Sequence, residues 1–400
     1  MKIKRLKVDG LNDRMTFDLS FNSDLNVITG KNGSGKTSVL KTAWFVISSN
    51  VEWLLAEVPF ASILLETDQY LVEIQKAELT PSAVARRRRR NVPYGHLMVN
   101  WTLTTEQRTI KYPPDKPGEL DPSMQDPGGA LNRTLMEIPG SSLFFPTFRR
   151  IEGGFSMGAR VHAPDAAYYP FDEIELGKDL NRLSERLTVR NHKFISSIST
   201  DDIVVAITKQ YANISERTNQ EHRALSQEII KNIRQYEAGS GGKTNAAEQL
   251  LKATEILEQI QQQVSDHSKA QESLLAPFSE LSKLVNRIFQ DKKIQLTERI
   301  ALGEARESIV SNVLSAGEKQ MLSFLAYNAF ATGSIIFIDE PEISLHVDWQ
   351  RILFPTLLSQ GPRNQFVVAT HSPFIYSRYA DKELLLDSDR GDAHSDEQGT

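Results

Sequence analysis

The octet Gly30-Lys31-Asn32-Gly33-Ser34-Gly35-Lys36-Thr37 stands between a short apolar run, Leu25 to Thr29, and a helical pattern with Val39, Leu40, Ala43 and Trp44 on its apolar side. The run reads as a buried strand. Glycines let backbone N–H groups close around a phosphate chain, and the start of the following helix adds a favourable field. Strand, glycine-rich loop, lysine, hydroxyl and helix in that order make a P-loop. With glycine at about 7% of residues, a chance match is on the order of one in a hundred, before the strand–helix context lowers it further. Residues Gly30 to Thr37, with Ser38 beside them, are therefore expected to bind the phosphates of ATP. Lys36 would reach the β- and γ-phosphates, and Thr37 would hold Mg²⁺.

Downstream, Ile335-Ile336-Phe337-Ile338-Asp339-Glu340 places two carboxylates at the end of an apolar strand, where open α/β sheets bind ligands. Asp339 is expected on Mg²⁺ and Glu340 as the general base that polarises the attacking water. His371, in Ala369-Thr370-His371-Ser372, ends the next buried run, Gln365 to Ala369. It has two readings, a contact to the γ-phosphate that helps orient water, or a purely structural histidine.

Leu314-Ser315-Ala316-Gly317-Glu318 precedes a helix with Met321, Leu322, Leu325, Ala326 and Ala329 on its apolar side. Small residues at a helix start make a second anion site. One P-loop subunit does not need it; a γ-phosphate held by another copy gives it a purpose. Ser315, Gly317 and Glu318 are the candidates, and the plain alternative is a capped helix with no ligand.

The chain has 400 residues, 40% hydrophobic, a formal net charge of −5 and no cysteine. That supports a sizeable core of two or three lobes. It excludes disulfides and thiolate zinc sites, and confines any nucleic-acid contact to a local patch. No apolar run resembles a signal peptide or a membrane span, so a soluble, cytoplasmic protein with no membrane partner is expected. Residues 2–8 read as an edge strand, and residues 60–66, 70–76 and 97–103 as further strands of an antiparallel β subdomain. Residues 81–95, with Arg86 to Arg90, and residues 112–130, rich in Pro, Gly and Asp, read as surface loops. Ser142 to Phe145 reads as a strand ending at Pro146.

The texture then turns polar and helical. Ile203, Ile207, Tyr211 and Ile214 step by four, four and three, as do Leu225, Ile229, Ile233 and Tyr236. Gly239-Ser240-Gly241-Gly242 breaks the pattern, and Leu250, Thr254, Leu257, Ile260, Val264 and His267 resume it. This reads as a helical hairpin or as two helices of an ordinary α domain. The expected division is 1–165 (P-loop and β subdomain), 166–298 (helical insertion), 299–387 (second ATPase lobe) and a disordered tail, 388–400.

With these four motifs in order, the chain resembles the ABC-type ATPases of the SMC and RecF kind. The resemblance implies an α/β fold, a P-loop ATPase head built from both chain ends around a helical or short coiled-coil insertion. It implies two heads joined by ATP, with Ser315 and Gly317 of one subunit meeting the nucleotide on Lys36 of the other, as a homodimer or larger assembly. The family's Asn-Phe-Arg reads here Asp9-Gly10-Leu11-Asn12, with Arg14 close by, and no glutamine follows Phe145, where Arg149 and Arg150 stand.

Asp339-Glu340-Pro341-Glu342-Ile343-Ser344-Leu345-His346, with Trp349-Gln350 and Phe145-Pro146-Thr147-Phe148-Arg149-Arg150, looks like the bacterial ATPases grouped near the OLD proteins. Many of those serve anti-phage modules such as Septu, PARIS and retron-associated systems. OLD proteins carry a Toprim nuclease after the ATPase. About thirty residues follow His371, against roughly 100 for a small domain, so a nuclease-like effector is expected on a separate protein. The resemblance thus implies a regulatory ATPase controlling an effector. A DNA-binding repair or chromosome-maintenance ATPase is the alternative, motivated by Arg86 to Arg90 as phosphate contacts; a solvated loop is the bland reading of that run.

Overall fold

The computed structural model describes residues 1–77, 98–112, 127–147, 149–151, 171–198, 200–239, 246–288, 314–361 and 363–387. The expectations for Arg86 to Arg90, the glycine turn at 240–242 and the tail at 388–400 lie outside these residues. The strands are β1 (Ile3–Leu11), β2 (Met15–Ser20), β3 (Leu25–Thr29), β4 (Ser62–Thr67), β5 (Tyr70–Ala77), β6 (Met98–Thr105), β7 (Thr109–Tyr112), β8 (Ser142–Phe145), β9 (Arg150–Ile151), β10 (His192–Phe194), β11 (Ser197–Ile198), β12 (Ile335–Asp339), β13 (Gln365–Ala369) and β14 (Glu383–Leu385). The helices are α1 (Lys36–Ile47), α2 (Val51–Glu57), α3 (Pro127–Met136), α4 (Phe171–Leu187), α5 (Thr200–Gly239), α6 (Ala246–Ile288), α7 (Ala316–Phe330), α8 (Val347–Ser359) and the single turn α9 (Pro373–Tyr376).

One unit comprises Met1–Ser199 and Leu314–Thr400, and a second comprises Thr200–Val313. The first holds two six-stranded sheets. One is antiparallel, in the order β2-β1-β4-β5-β6-β7. The other is parallel throughout, in the order β10-β8-β12-β13-β3-β14. Strands β3, β12 and β13 are buried at every position, as expected when both faces of a parallel sheet are covered. Helix α1 packs against β8, β12 and β13. Its Trp44 ring meets Phe144 at 5.2 Å and Phe194 at 5.4 Å. The core joining both sheets also includes Leu6, Val8, Val72 and Phe337.

Alternation over residues 2–8 predicts an edge strand, but β1 lies between β2 and β4. Alternation reports that one face is covered and is silent on how many neighbours the ladder has. A tight turn with Asn12 and Asp13 at positive φ returns the chain as β2. The loop expected over 112–130 also gives way at its end, where Pro127 opens α3. Proline suits a first helical turn, which needs no N–H there, and the Pro127 carbonyl accepts Trp101 Nε1 at 3.0 Å.

Helix α4 stands in the first unit, so the helical unit begins at Thr200. Asn50 Nδ2 donates to Leu187 O at 2.8 Å and Ser196 Oγ to Leu180 O at 2.9 Å, tying α4 to its neighbours. In the second unit α5 and α6 run antiparallel, since Gln263 bonds Glu228 at 3.0 Å and the His222 and His267 rings meet at 5.7 Å. Ile203, Ile207, Leu281 and Leu284 are buried, whereas Leu257 and Val264 of the expected apolar stripe are exposed. Among the described residues no helix is long and apolar enough to cross a membrane.

Candidate functional site

The parallel sheet sets the site. Across three neighbouring strands Ile28, Ala369 and Asp339 share one register line. The P-loop, the Thr370–His371 segment and Glu340 therefore leave the sheet together at its C-terminal edge. A crevice outside the carboxyl ends of parallel strands is where such sheets hold ligands.

In the loop itself, Gly30, Gly33 and Gly35 all have positive φ. Gly30 has φ 146°, which L side chains rarely adopt, and a Cβ there would also lie 2.7 Å from Ser34 Oγ, so a substitution would strain the loop. Lys31, Asn32 and Gly33 are exposed, and Ser34 is buried with an unpartnered Oγ. Gly35 caps α1 in the left-handed conformation; no side chain caps this helix start and no acidic residue stands in its first turn. Its positive end is thus left for an external anion. Arg14 Nη2 donates to Gly33 O at 3.2 Å, and Asn12 Nδ2 to Ser38 Oγ at 3.0 Å.

Lys36 is 6% exposed. Its Nζ donates to Gly30 O at 2.8 Å and Lys31 O at 3.0 Å. Burial lowers its pKa, while Glu340, Asp339 and Glu342 oppose that shift. Thr37 Oγ1 donates to Asp339 Oδ2 at 2.9 Å across 302 residues of sequence. Thr147 Oγ1 donates to the same oxygen. Asp339 is 1% exposed, and its Oδ1 is buried with no hydrogen-bond partner. A buried acceptor without a donor, beside a threonine hydroxyl, fits a divalent cation, which takes hard oxygen ligands.

Glu340 adopts φ 48°, a left-handed conformation that costs a non-glycine residue about 1–3 kcal/mol. Its N–H donates to Ala369 O at 2.8 Å. Burial first, then the charges of Asp339 and Glu342, raise its pKa. Arg149 donates from Nη1 to Pro146 O at 2.7 Å and to Asp339 O at 2.8 Å, and from Nη2 to Glu340 O at 3.0 Å. Burial lowers its pKa to about 10, against the pull of Asp339, Glu342 and Glu340.

Glu342 faces the third strand. Its Oε1 accepts His371 N at 2.6 Å and its Oε2 accepts Thr370 Oγ1 at 2.8 Å. The pKa of His371 is lowered, first by burial and then by Lys36, with Glu342 and Asp339 opposing. The imidazole is therefore neutral at pH 7.

Ser315, Gly317 and Glu318 form the start of α7. Ser315 Oγ accepts Glu318 N at 3.3 Å and Glu318 Oε2 accepts Ser315 N at 2.8 Å, a complete capping box. A Cβ at Gly317 would lie 2.4 Å from Ser344 O, so this helix start is seated on the turn that follows Glu340. Gln320 Nε2 reinforces the seat by donating to Pro341 O at 2.9 Å.

The structure thus brings Lys36, Thr37, Asp339, Glu340 and His371 together at one edge of the parallel sheet. Thr147, Arg149 and Glu342 complete that cluster; of the three, the resemblance singles out only Arg149, as one of two arginines standing where the family carries a glutamine. Their available signals are modest: a threonine and an arginine just past a buried strand, and a third carboxylate close behind Asp339 and Glu340.

Residues 169–376 match the family described as an AAA ATPase domain. That span is just over half of the chain; it takes in α7, Asp339, Glu340 and His371 and leaves out the P-loop. Among solved structures the chain is similar to the Smc head domain with an extended coiled coil bound to the C-terminal domain of ScpA from Pyrococcus furiosus. Identity is 12% over 94% of this chain and 91% of that one, with a TM-score of 0.36. A second similar structure is the SmcHead bound to the C-winged helix domain of ScpA, at 12% identity, 94% and 91% coverage and a TM-score of 0.37.

Proposed function

Because the chain belongs to the AAA ATPase domain family, we propose that it hydrolyses ATP at the C-terminal edge of the parallel sheet, with a second copy of the chain completing the site. The observation that carries this is the meeting of Thr37 and Asp339 at 2.9 Å, beside Lys36 and Glu340. Lys36 neutralises the β- and γ-phosphates. Thr37 and Asp339 would hold Mg²⁺, which when bound supplies charge neutralisation at the phosphates. Glu340 takes a proton from water as the water oxygen attacks the γ-phosphorus and the bond to the ADP oxygen breaks. Its raised pKa makes it a stronger base than an exposed glutamate. Neutral His371 offers a ring nitrogen to the γ-phosphate or the water.

In α7 the capping box engages the Ser315 hydroxyl and the Glu318 carboxylate. The first-turn amides of Ala316 and Gly317 are then the groups that meet the partner's γ-phosphate. Two nucleotides would sit between two copies. The test is mass by light scattering on Glu340→Gln, with and without ATP and Mg²⁺. Doubling with ATP supports the sandwich; a monomer that binds ATP without changing mass overturns it.

The likeness of the Asp339–His346 run to the OLD-related ATPases supports a regulatory role in an anti-phage module acting on a separate effector. Co-purification of a second protein, with ATP turnover indifferent to DNA, is the outcome that reading requires. Salt-sensitive DNA binding that disappears when Arg86 to Arg90 are neutralised favours the repair or chromosome-maintenance reading instead.

A further inference from the structure

We propose that Arg149 is the positioning residue of the general base: its guanidinium fixes the backbone of Glu340 and so sets the direction of its carboxylate. The proposal rests on the reading of Glu340 as the base.

The geometry is specific. The carbonyl of Asp339 belongs to the peptide before the Glu340 Cα, and the carbonyl of Glu340 to the peptide after it. Arg149 donates to both, at 2.8 and 3.0 Å. Holding the planes on either side of one Cα fixes its φ and ψ together, and with them the Cα–Cβ direction. That restraint acts where it is needed, because Glu340 sits at φ 48°, a region a non-glycine residue keeps only when its surroundings over-determine it. The remaining bond of Arg149 anchors it to Pro146 O at 2.7 Å, at the end of β8. Phe324 of α7 backs the guanidinium, its ring centroid 5.7 Å from the central carbon. A planar fork can span two carbonyls in this way, whereas a lysine ammonium offers a single point. Thr147, two residues earlier, donates to the Asp339 carboxylate, so Thr147 and Arg149 between them contact both acidic residues.

A residue acting through the base differs measurably from one that only supports the fold. The experiment is a double-mutant cycle in single-turnover hydrolysis, with Arg149→Met and Glu340→Gln made singly and together, and nucleotide affinity read by fluorescent ATP binding. Arg149→Met is expected to lower the hydrolysis rate about ten- to a hundredfold with affinity unchanged, the range seen when the support of a reacting group is removed. In the Glu340→Gln background the same change is expected to cost nothing further, because the group it positions is gone. Equal losses in both backgrounds, or a loss of ATP affinity, overturn the proposal.

Should Arg149→Met fail to fold, Arg149→Lys carries the same cycle. It keeps the charge and removes the fork, and is expected to be slow only where Glu340 is present. A Glu340→Gln protein that turns over at the wild-type rate removes the base assignment itself, and the role of Arg149 with it. That outcome is distinct from additivity in the cycle.

Discussion

Glu342 carries no catalytic role in the proposed mechanism, yet replacing it with glutamine is expected to slow the reaction. Its two carboxylate oxygens accept one bond each, from His371 N at 2.6 Å and Thr370 Oγ1 at 2.8 Å. An amide accepts through one atom only. If its oxygen keeps the His371 N–H, its NH₂ faces the Thr370 hydroxyl, which already accepts Ser372 N at 3.0 Å, and the hydroxyl proton loses its acceptor. A hydrogen bond to a charged group contributes about 1.5–3 kcal/mol. If that loss falls wholly on the placement of His371 in the transition state, kcat drops by about 10- to 150-fold. Nucleotide affinity should hold or tighten, because the change removes a negative charge near Lys36, where the phosphates arrive. Steady-state turnover at saturating ATP, with affinity measured separately, checks both parts. A kcat within about twofold of wild type, or weakened binding with kcat intact, refutes the reasoning.

Two further outcomes follow from packing and burial. Gly317→Ala places a Cβ 2.4 Å from Ser344 O, an overpacking that costs about 1–3 kcal/mol. The midpoint of thermal unfolding of dilute protein without nucleotide should fall by about 1–2 °C per kcal/mol for a chain of this size, and an unchanged midpoint contradicts the close seating of α7. His192 is buried with Nδ1 2.8 Å from Ser142 Oγ, and burial pushes its pKa from 6.5 to about 4. The unfolded chain takes up this proton first, so stability is intact above pH 6.5 and declines as pH falls towards 4. Urea unfolding should therefore show His192→Gln losing less stability than wild type between pH 7.5 and pH 5, by about 2 kcal/mol. Equal losses refute it.

What was legible in the sequence is what short-range pattern encodes. The Leu25–Thr29 strand, the loop at 30–37 and the helix after it lie within two dozen residues, and the structure has them as read. Residues 335–339 and 365–369 were legible for the same reason, as apolar runs of strand length. The partners that organise the site were not, because they meet across the chain. Thr147 and Arg149 reach Asp339 and Glu340 over 190 to 192 residues, and no local period marks such pairs. The same limit accounts for β1, whose alternation shows a covered face and hides two neighbouring strands. In the hairpin, spacing placed Leu257 and Val264 on an inner stripe. The antiparallel pairing instead leaves them exposed, since a helix shows an apolar period before its packing partner selects a side.

The position of β3 has a consequence for how the protein is made. Its neighbours on either side are β13 and β14, and Asn26 bonds Phe366 across 340 residues. During synthesis at about 5–20 residues per second, the P-loop strand leaves the ribosome roughly 20–70 s before either neighbour exists. Through that interval the nascent chain carries an apolar strand with both edges open, which is the state chaperones recognise and aggregation exploits. The nucleotide pocket is therefore among the last features to form. A stalled or truncated chain ending before residue 365 would display the P-loop sequence without the sheet that gives it shape.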